Sequence, residues 1–187
     1  MNTVIKIVFM LSAAQISLYA ENMNSVVGDG AVIRDIAGTV EVKLPGADDW
    51  TPAEAGMFIA NNTSISTGFK STAILVLGES LVTVRPLTRL TLDELIRGQS
   101  NDTVALSLRT GRIRAEVRPP AGGKTDFTVR APVATASVRG PAFDLDPVNL
   151  NVTEGLVRYI VTGTGAAVSV GAGRSSAVNT ESPSGLE

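Results

Sequence analysis

The chain has no cysteine and no histidine among its 187 residues. Without cysteine the fold has no disulfide and no site for lipid attachment at an N-terminal cysteine, so packing and backbone hydrogen bonds must hold it together. Without either residue, the imidazole base, the thiolate nucleophile and the common zinc ligand sets are all missing. The composition therefore predicts a protein that is not an enzyme and that needs no cofactor or metal.

Aromatic residues and excess charge are also scarce. Aromatic residues make up 4% of the chain, and the formal net charge is -2 at pH 7. A weakly acidic chain has no overall positive field to attract phosphates, so we expect no nucleic-acid partner. No apolar run approaches the ~20 residues that a membrane-spanning helix requires, so we expect no membrane span after removal of the N-terminal segment described next.

The first twenty residues are typical of a secretory signal peptide. Lys6 precedes an apolar stretch over residues 7–14, and the small residues Ser17 and Ala20 follow it. This order of a charged, an apolar and a small-residue region predicts a signal peptide over residues 1–20, with Ala20 as the last residue removed. Because Leu18 is larger than the small residue usual at its position, cleavage within several residues of Ala20 and an uncleaved anchor are the alternatives. We therefore expect a bacterial protein located in the periplasm, in the outer envelope or outside the cell.

Short β-favouring runs separated by glycine, proline and small polar residues fill the rest of the chain. Residues 39–44 alternate, and turn-forming residues follow at 45–49, which predicts a hairpin. We expect one all-β domain over residues 31–178, built of stacked or rolled antiparallel sheets, solenoid-like or sandwich-like, with a disordered tail at 179–187. The core is predicted to contain Ile74, Val76, Val82, Val117, Val129, Val138, Phe143 and Val157.

One segment carries signals of a short helix. Thr91 and Glu94 have the spacing of a capping box, and Gly98 is placed to end the helix. A helix near 91–98 therefore competes with a strand there.

Elsewhere a faint repeat indicates stacked β units, because Gly38, Gly111 and Gly155 each enter a strand at matched spacing.

The strand around residue 113 presents a basic face. Arg112, Arg114 and Arg118 alternate with Ile113, Ala115 and Val117, so the arginines are expected on the solvent side. Such a face is a possible binding surface for an anionic sugar or a carboxylate-rich partner, although an ordinary solvated strand has the same pattern.

Three other features are weaker candidates for a functional site. Trp50 could stack on a sugar or anchor the neighbouring turn. Asp144 with Asp146, and Asp48 with Asp49, are the available carboxylate pairs, but both pairs lie among turn formers, so solvation explains them better than catalysis.

An ordered set of motifs resembles the FecR domain, a periplasmic β-domain named after a ferric citrate signalling protein. The most specific block runs from Ala131 to Phe143, where Arg-Gly-Pro stands in place of the family's Arg-Gly-Thr; Pro141 lacks the hydroxyl and backbone donor of that threonine. The residues that match family motif positions are Trp50, Gly56, Thr67, Gly68, Arg139, Gly140, Phe143 and Gly155.

The resemblance implies an all-β domain with the character of a binding module. Some relatives control a sigma factor through an N-terminal cytoplasmic segment, and this chain begins instead with the predicted signal peptide, so that role is not expected to transfer. The leading hypothesis is a non-catalytic interaction or signalling-related module that binds an envelope protein. The alternative is a module that binds peptidoglycan or another polysaccharide.

Overall fold

A computed structural model of the protein describes residues 29–178, with the backbone alone for residues 139 and 140. The predicted signal peptide and the predicted tail lie outside the described residues. Within 29–178 no helix occurs, and so none is long and apolar enough to cross a membrane. The strands are β1 (Gly30–Ala37), β2 (Val40–Lys43), β3 (Thr51–Pro52), β4 (Phe58–Ala60), β5 (Thr63–Thr67), β6 (Thr72–Leu77), β7 (Ser80–Val84), β8 (Arg89–Arg97), β9 (Asn101–Thr110), β10 (Ile113–Glu116), β11 (Lys124–Arg130), β12 (Ala134–Leu145), β13 (Asn149–Val161), β14 (Ala167–Gly171) and β15 (Arg174–Ala177).

All of these strands belong to one 15-stranded sheet with two arms that meet at β12. The first arm has the order β3-β2-β5-β8-β9-β11, and the second has the order β4-β1-β6-β7-β10. The early half of β12 pairs with β11 and its late half pairs with β10. On its other edge β12 pairs with β13 along nearly its whole length, and β13 in turn pairs with β14 and β15.

The sheet curls into a half-barrel because β12 and β13 bend where they pass from one arm to the other. The pairing register between them shifts between residues 139 and 143, and Gly155 lies opposite this break with a φ of 85°. Irregular pairing of this kind bends a strand and increases its twist. The arms consequently face each other, and the rings of Phe127 and Phe143 meet edge to face with centroids 6.1 Å apart.

The prediction of an all-β domain is confirmed. The expectation that its strands pair antiparallel throughout needs one correction. Every strand pair given for the described residues is antiparallel except β9 with β11. A parallel pair needs a crossover, and here the chain leaves β9, forms β10 in the second arm and then returns to the first arm as β11. This excursion joins the two arms by a covalent path as well as by packing.

Alternation along the strands builds the core between the arms. On β6 the side chains of Ala73, Leu75 and Leu77 are buried, whereas Ile74 and Val76 are half-buried on the outer face. The prediction that Ile74 and Val76 lie in the core is therefore wrong by one residue of register. The other predicted core residues are all buried: Val82, Val117, Val129, Val138, Phe143 and Val157.

The short helix considered near 91–98 is a strand, because those residues lie in β8 and its neighbour Gly98. The register with β9 shifts between Leu92 and Glu94, so the pairing skips Asp93. One extra residue in a strand moves the next inward side chain from the usual spacing of two to a spacing of three. Leu92 and Leu95 are both buried for this reason, and their spacing imitates a helix.

The repeated glycines lie where the chain passes between the arms. Gly38 joins β1 to β2 with a φ of 77°, and Gly111 joins β9 to β10 with a φ of 83°. The segments 68–71 and 85–88 make the same passage from β5 to β6 and from β7 to β8. These four connections stack side by side at one end of the half-barrel, called here the crossing end.

Candidate functional site

The basic face on β10 has the predicted orientation. Ile113, Ala115 and Val117 are buried in the core. Arg112 and Arg118 are exposed, and Arg114 is half-buried on the outer surface. The alternation of the sequence therefore predicts correctly which side chains of this strand reach solvent.

The arginines on this face are bound to carboxylates of the same chain. Arg112 Nη2 lies 2.8 Å from Asp146 Oδ2, and Arg114 Nη1 lies 3.3 Å from Asp144 Oδ2. Arg85 at the end of β7 also reaches Asp144, at 3.2 Å. The carboxylate of Glu116 lies between two arginines of the same strand region, 3.8 Å from Arg114 and 3.5 Å from Arg118. We call Arg85, Arg112, Arg114, Asp144 and Asp146 the arginine-aspartate cluster.

The cluster forms because β10 pairs with both β7 and β12. Arg114 lies opposite Thr83 on one side and opposite Asp144 on the other, so strand pairing alone brings the opposite charges together. In the turn after β12, Asp146 Oδ1 accepts the backbone N–H groups of Val148 and Asn149 at 3.1 and 2.8 Å. An aspartate that accepts bonds from the following backbone is a common way to fix a turn.

The pKa of Asp146 argues against a role for this carboxylate as a general acid. Burial alone would raise the pKa of Asp146, but the hydrogen bonds from Arg112, Val148 and Asn149 outweigh it and hold the pKa below the ordinary value of 3.8. A general acid needs the opposite shift. The cluster borders a shallow depression of about 340 Å³, lined by Arg85, Arg112, Asp144, Asp146, Asn149 and Asn151. Within residues 29–178 no group of three or more metal-ligating side chains is brought together.

Trp50 and the other carboxylate pair are far from this cluster in the strand order. Trp50 immediately precedes β3, the outermost strand of the first arm, and its ring lies under the guanidinium of Arg89 with 5.1 Å between the guanidinium carbon and the ring centroid. Asp48 and Asp49 belong to the turn between β2 and β3, which pair as the predicted hairpin. The structure thus does not combine Trp50 with the arginines into one sugar-binding site.

Two family-motif positions, Thr67 and Gly68, organise the crossing end. Thr67 is buried, and its hydroxyl donates to the carbonyl of Arg85 at 2.6 Å and accepts the backbone N–H of Thr88 at 3.0 Å. The carbonyl of Gly68 accepts the N–H of Leu87 at 3.2 Å, and its own N–H donates to Thr39 at 2.9 Å. These residues tie three of the four stacked connections together.

Five of the other motif positions lie in a turn, in the core or at the bend of β12 and β13. Gly56 has a φ of 88° in the turn before β4, and Phe143 is fully buried in the core. Arg139 and Gly140 lie on β12 at the register break opposite Leu156 and Gly155. Gly155 is the bend in β13 described above.

A surface that sequence patterns did not reveal is the outer edge of β14 and β15. These strands follow one another along β13 and together form an edge over residues 167–177, on which no described strand is paired. Its side chains are small apart from Arg174, and it contains no proline. By contrast, the edge strands of the two arms are short, with two residues in β3 and three in β4.

The backbone direction along this edge follows from the pairing. The N–H of Val161 donates to the carbonyl of Ala166 at 2.8 Å, so the alternate residues Val168 and Val170 direct their backbone groups to β13. Ser169, between them, directs its N–H and C=O to the free side. A groove of about 420 Å³ adjoins this edge on the outer face, lined by Asp126, Phe127, Thr128, Ser137, Val138, Leu156, Arg158 and Ser169.

These features define an all-β half-barrel module, and comparison with known proteins identifies its family. The family model described as FecR protein matches residues 63–158. The chain therefore belongs to the FecR family. The match covers six of the eight motif positions assigned from the sequence, from Thr67 to Gly155, and leaves Trp50 and Gly56 outside it.

Two crystal structures share the fold. Both are of a putative anti-sigma factor from Parabacteroides distasonis ATCC 8503, at 2.50 and 1.65 Å resolution. They superpose with TM-scores of 0.53 and 0.52 at 16% and 17% sequence identity, and the similarity covers 66% of this chain and 57% of the other. The chain thus spans little more than half of that protein. No curated protein matches the sequence.

Proposed function

We propose that this chain is a non-catalytic protein-interaction module of the bacterial envelope with a signalling-related role. Membership of the FecR family carries the proposal, since the family model covers residues 63–158. The solved anti-sigma-factor structures share this fold, and regulation of that kind proceeds through protein contacts. The signal-peptide pattern of residues 1–20 supports a periplasmic or outer-envelope location.

The edge of β14 and β15 is the surface best suited to hold such a partner. An extended segment can add to an exposed sheet edge, where backbone hydrogen bonds give affinity and neighbouring side chains give specificity. Ser169 directs its backbone outward, and small side chains leave room for a further strand. Natural edges are commonly blocked by proline, charge or short length, and this one has a single charge at Arg174.

The groove beside the edge indicates which segment would fit. Arg158 lies opposite Ser169 on β13, with its side chain exposed on the outer face. An added strand would lie about two strand spacings from β13, roughly 10 Å, which an arginine and a glutamate can span together over the small Ser169. We therefore expect an extended segment that carries an acidic residue opposite Ser169.

Site-specific crosslinking in cells tests the proposal. A photoreactive amino acid replaces Ala167 on the edge in one chain and the exposed Glu54, which precedes β4, in a control chain. We expect one envelope protein to crosslink at position 167 and not at 54. The Ser169→Pro change in the first chain should abolish that product, because proline removes an outward donor without breaking a bond to β13.

The same experiment can contradict the proposal. If identical products form at positions 167 and 54, or if Ser169→Pro leaves the product at 167 unchanged, strand addition at this edge is wrong. Fractionation of the cells tests location, since an envelope module should be recovered outside the cytoplasm in a form that lacks residues 1–20.

The polysaccharide-binding alternative has weaker support from the geometry. Arg112 and Arg114 are already bound to Asp146 and Asp144, and one face of Trp50 is covered by Arg89. Co-sedimentation with peptidoglycan that Arg112→Ala and Arg114→Ala abolish would restore this alternative.

A further inference from the structure

Two of the most exposed large apolar side chains of the described residues stand next to each other at the crossing end. Phe69 is 74% exposed and Leu87 is 60% exposed. They lie in adjacent connections, which are joined by the bond from the Leu87 N–H to the Gly68 carbonyl at 3.2 Å. This bond places the two exposed side chains on neighbouring connections, and we call the pair the apolar tip.

The backbone at this tip is held in an unfavourable conformation. Leu87 has a φ of 56° and Lys70 a φ of 54°, in the left-handed region that glycine and asparagine occupy most readily. A leucine at such a position costs stability that an asparagine would not, and strained residues of this kind tend to occur at functional positions. The strain at Leu87 leaves 60% of an apolar residue exposed to solvent, which gives the folded chain little packing in return.

Basic side chains surround the tip. The ammonium of Lys70 lies 5.6 Å from the centroid of the Phe69 ring, and Arg109 is exposed at the end of β9. Arg85 and Arg112, beside Leu87, are 45% and 56% exposed, whereas the carboxylates they bind, on Asp144 and Asp146, are 19% and 13% exposed. The cations thus face outward and the anions lie beneath them, so the surface presented to a partner is positive.

We propose that the crossing end binds the surface of an anionic phospholipid bilayer, with Phe69 and Leu87 inserted among the lipids and Lys70 and Arg109 at the headgroups. Apolar side chains gain by leaving water, and basic side chains are attracted to anionic headgroups. Long basic side chains can keep their charges at the interface while their stems lie deeper. This inference goes beyond the proposed function and does not depend on it.

A bilayer fits this tip better than a protein partner does. A stable protein interface needs about 800 Å² on each side, which two turns do not supply. A lipid surface needs only a few protruding side chains with positive charge around them. The tip is also at the opposite end of the strands from the bends of β12 and β13, so lipid binding would leave most of the β14 edge accessible.

Vesicle co-sedimentation with residues 21–187, which contain the whole described sheet, tests the proposal. The apolar segment 7–14 is omitted because it would itself bind lipid. We expect binding to vesicles of phosphatidylethanolamine and phosphatidylglycerol, weaker binding in high salt, and much weaker binding to phosphatidylcholine alone. The double change Phe69→Ser with Leu87→Asn should reduce affinity about tenfold or more.

Two further variants make the result specific. Phe58→Ser removes another exposed phenylalanine, on β4 at the sheet edge, and should leave vesicle binding unchanged. Lys70→Gln with Arg109→Gln should weaken binding several-fold at low salt, with less effect at high salt. Melting curves confirm that each variant is folded.

A fluorescent reporter locates the inserted side chain. Trp50 is the single tryptophan, so Trp50→Phe with Phe69→Trp places the only indole at the tip. Its emission should shift to shorter wavelength when anionic vesicles are added. An unshifted emission, an undiminished affinity of the Phe69→Ser, Leu87→Asn variant, or absence of binding to the anionic vesicles would each overturn the proposal.

Discussion

The hydroxyl of Thr67 contributes to stability beyond the packing of its methyl group. It donates to the carbonyl of Arg85 and accepts the N–H of Thr88, so both ends of the connection over residues 85–88 depend on one buried oxygen. Thr67→Val keeps the shape and removes the oxygen, and we expect it to lower the free energy of unfolding by about 1–3 kcal/mol. Urea denaturation measures this. Thr67→Ser keeps the hydroxyl and is the control; a valine variant as stable as the serine variant would contradict this role.

The ionisation of the Tyr159 phenol reports whether solvent reaches the core. It is fully buried, and its hydroxyl donates to the carbonyl of Val148 at 3.2 Å. Burial, with the nearby negative charge of Asp146, raises its pKa from 10.0 to about 12. The folded state thus favours the neutral phenol, so this contribution to stability is complete below pH 10.0 and is lost as the pH rises through about 12.

Absorbance titration of residues 21–187 isolates this group, because Tyr19 is the only other tyrosine. We expect ionisation near pH 12 in the folded protein and near pH 10 in urea. Asp146→Asn should lower the folded value, although burial keeps it above that of the unfolded chain. Ionisation near pH 10 without unfolding would show that solvent reaches Tyr159.

At the level of single strands, a continuous apolar run such as β6 does not show which of its side chains face the core. Leu75 is fully buried and Val76, its neighbour, is half-buried on the outer face. We expect Leu75→Ala to cost about 2–5 kcal/mol of unfolding free energy, and Val76→Ala to cost about 1 kcal/mol or less. Denaturant unfolding of the two variants measures the difference. Equal losses would mean that the outer face of β6 is covered as well.

Strand patterns in the sequence predict orientation where polar and apolar residues alternate, and fail where they do not. On β10 the arginines identify the outer face, whereas on β6 the run of apolar residues fits either face. The segment around Leu92 and Leu95 imitates a helix because a bulge at Asp93 changes the spacing of inward side chains. A bulge depends on the pairing partner β9, so the local sequence does not encode it alone.

The candidate sites depend still more on distant pairing. The sequence predicts the basic face of Arg112 and Arg114, but their partners Asp146 and Asp144 follow about thirty residues later and arrive through the pairing of β10 with β12. The edge of β14 and β15 is visible only once the strand order is known. The tip of Phe69 and Leu87 likewise requires two connections separated by a hairpin to lie side by side.

For the molecule as a whole, the two arms pack against each other across the core, and the contact between the rings of Phe127 and Phe143 is a measurable part of that packing. Phe127 belongs to the first arm and Phe143 to the part of β12 that pairs with the second arm. Each phenylalanine changed to leucine loses its own packing, and the double variant should lose less than the sum of the two. We expect a coupling of about 0.5–1.5 kcal/mol, the range for edge-to-face rings.

The control pair is Phe127→Leu with Leu75→Ala, two core side chains on different strands that do not form a ring pair with each other. Unfolding free energies in urea supply both cycles. Coupling for the phenylalanines and near-additivity for the control would place the arms in direct contact in solution. If the two cycles gave the same value, the half-barrel would be more open at this level, and β12, β13 and the connections of the crossing end would be the main links between its arms.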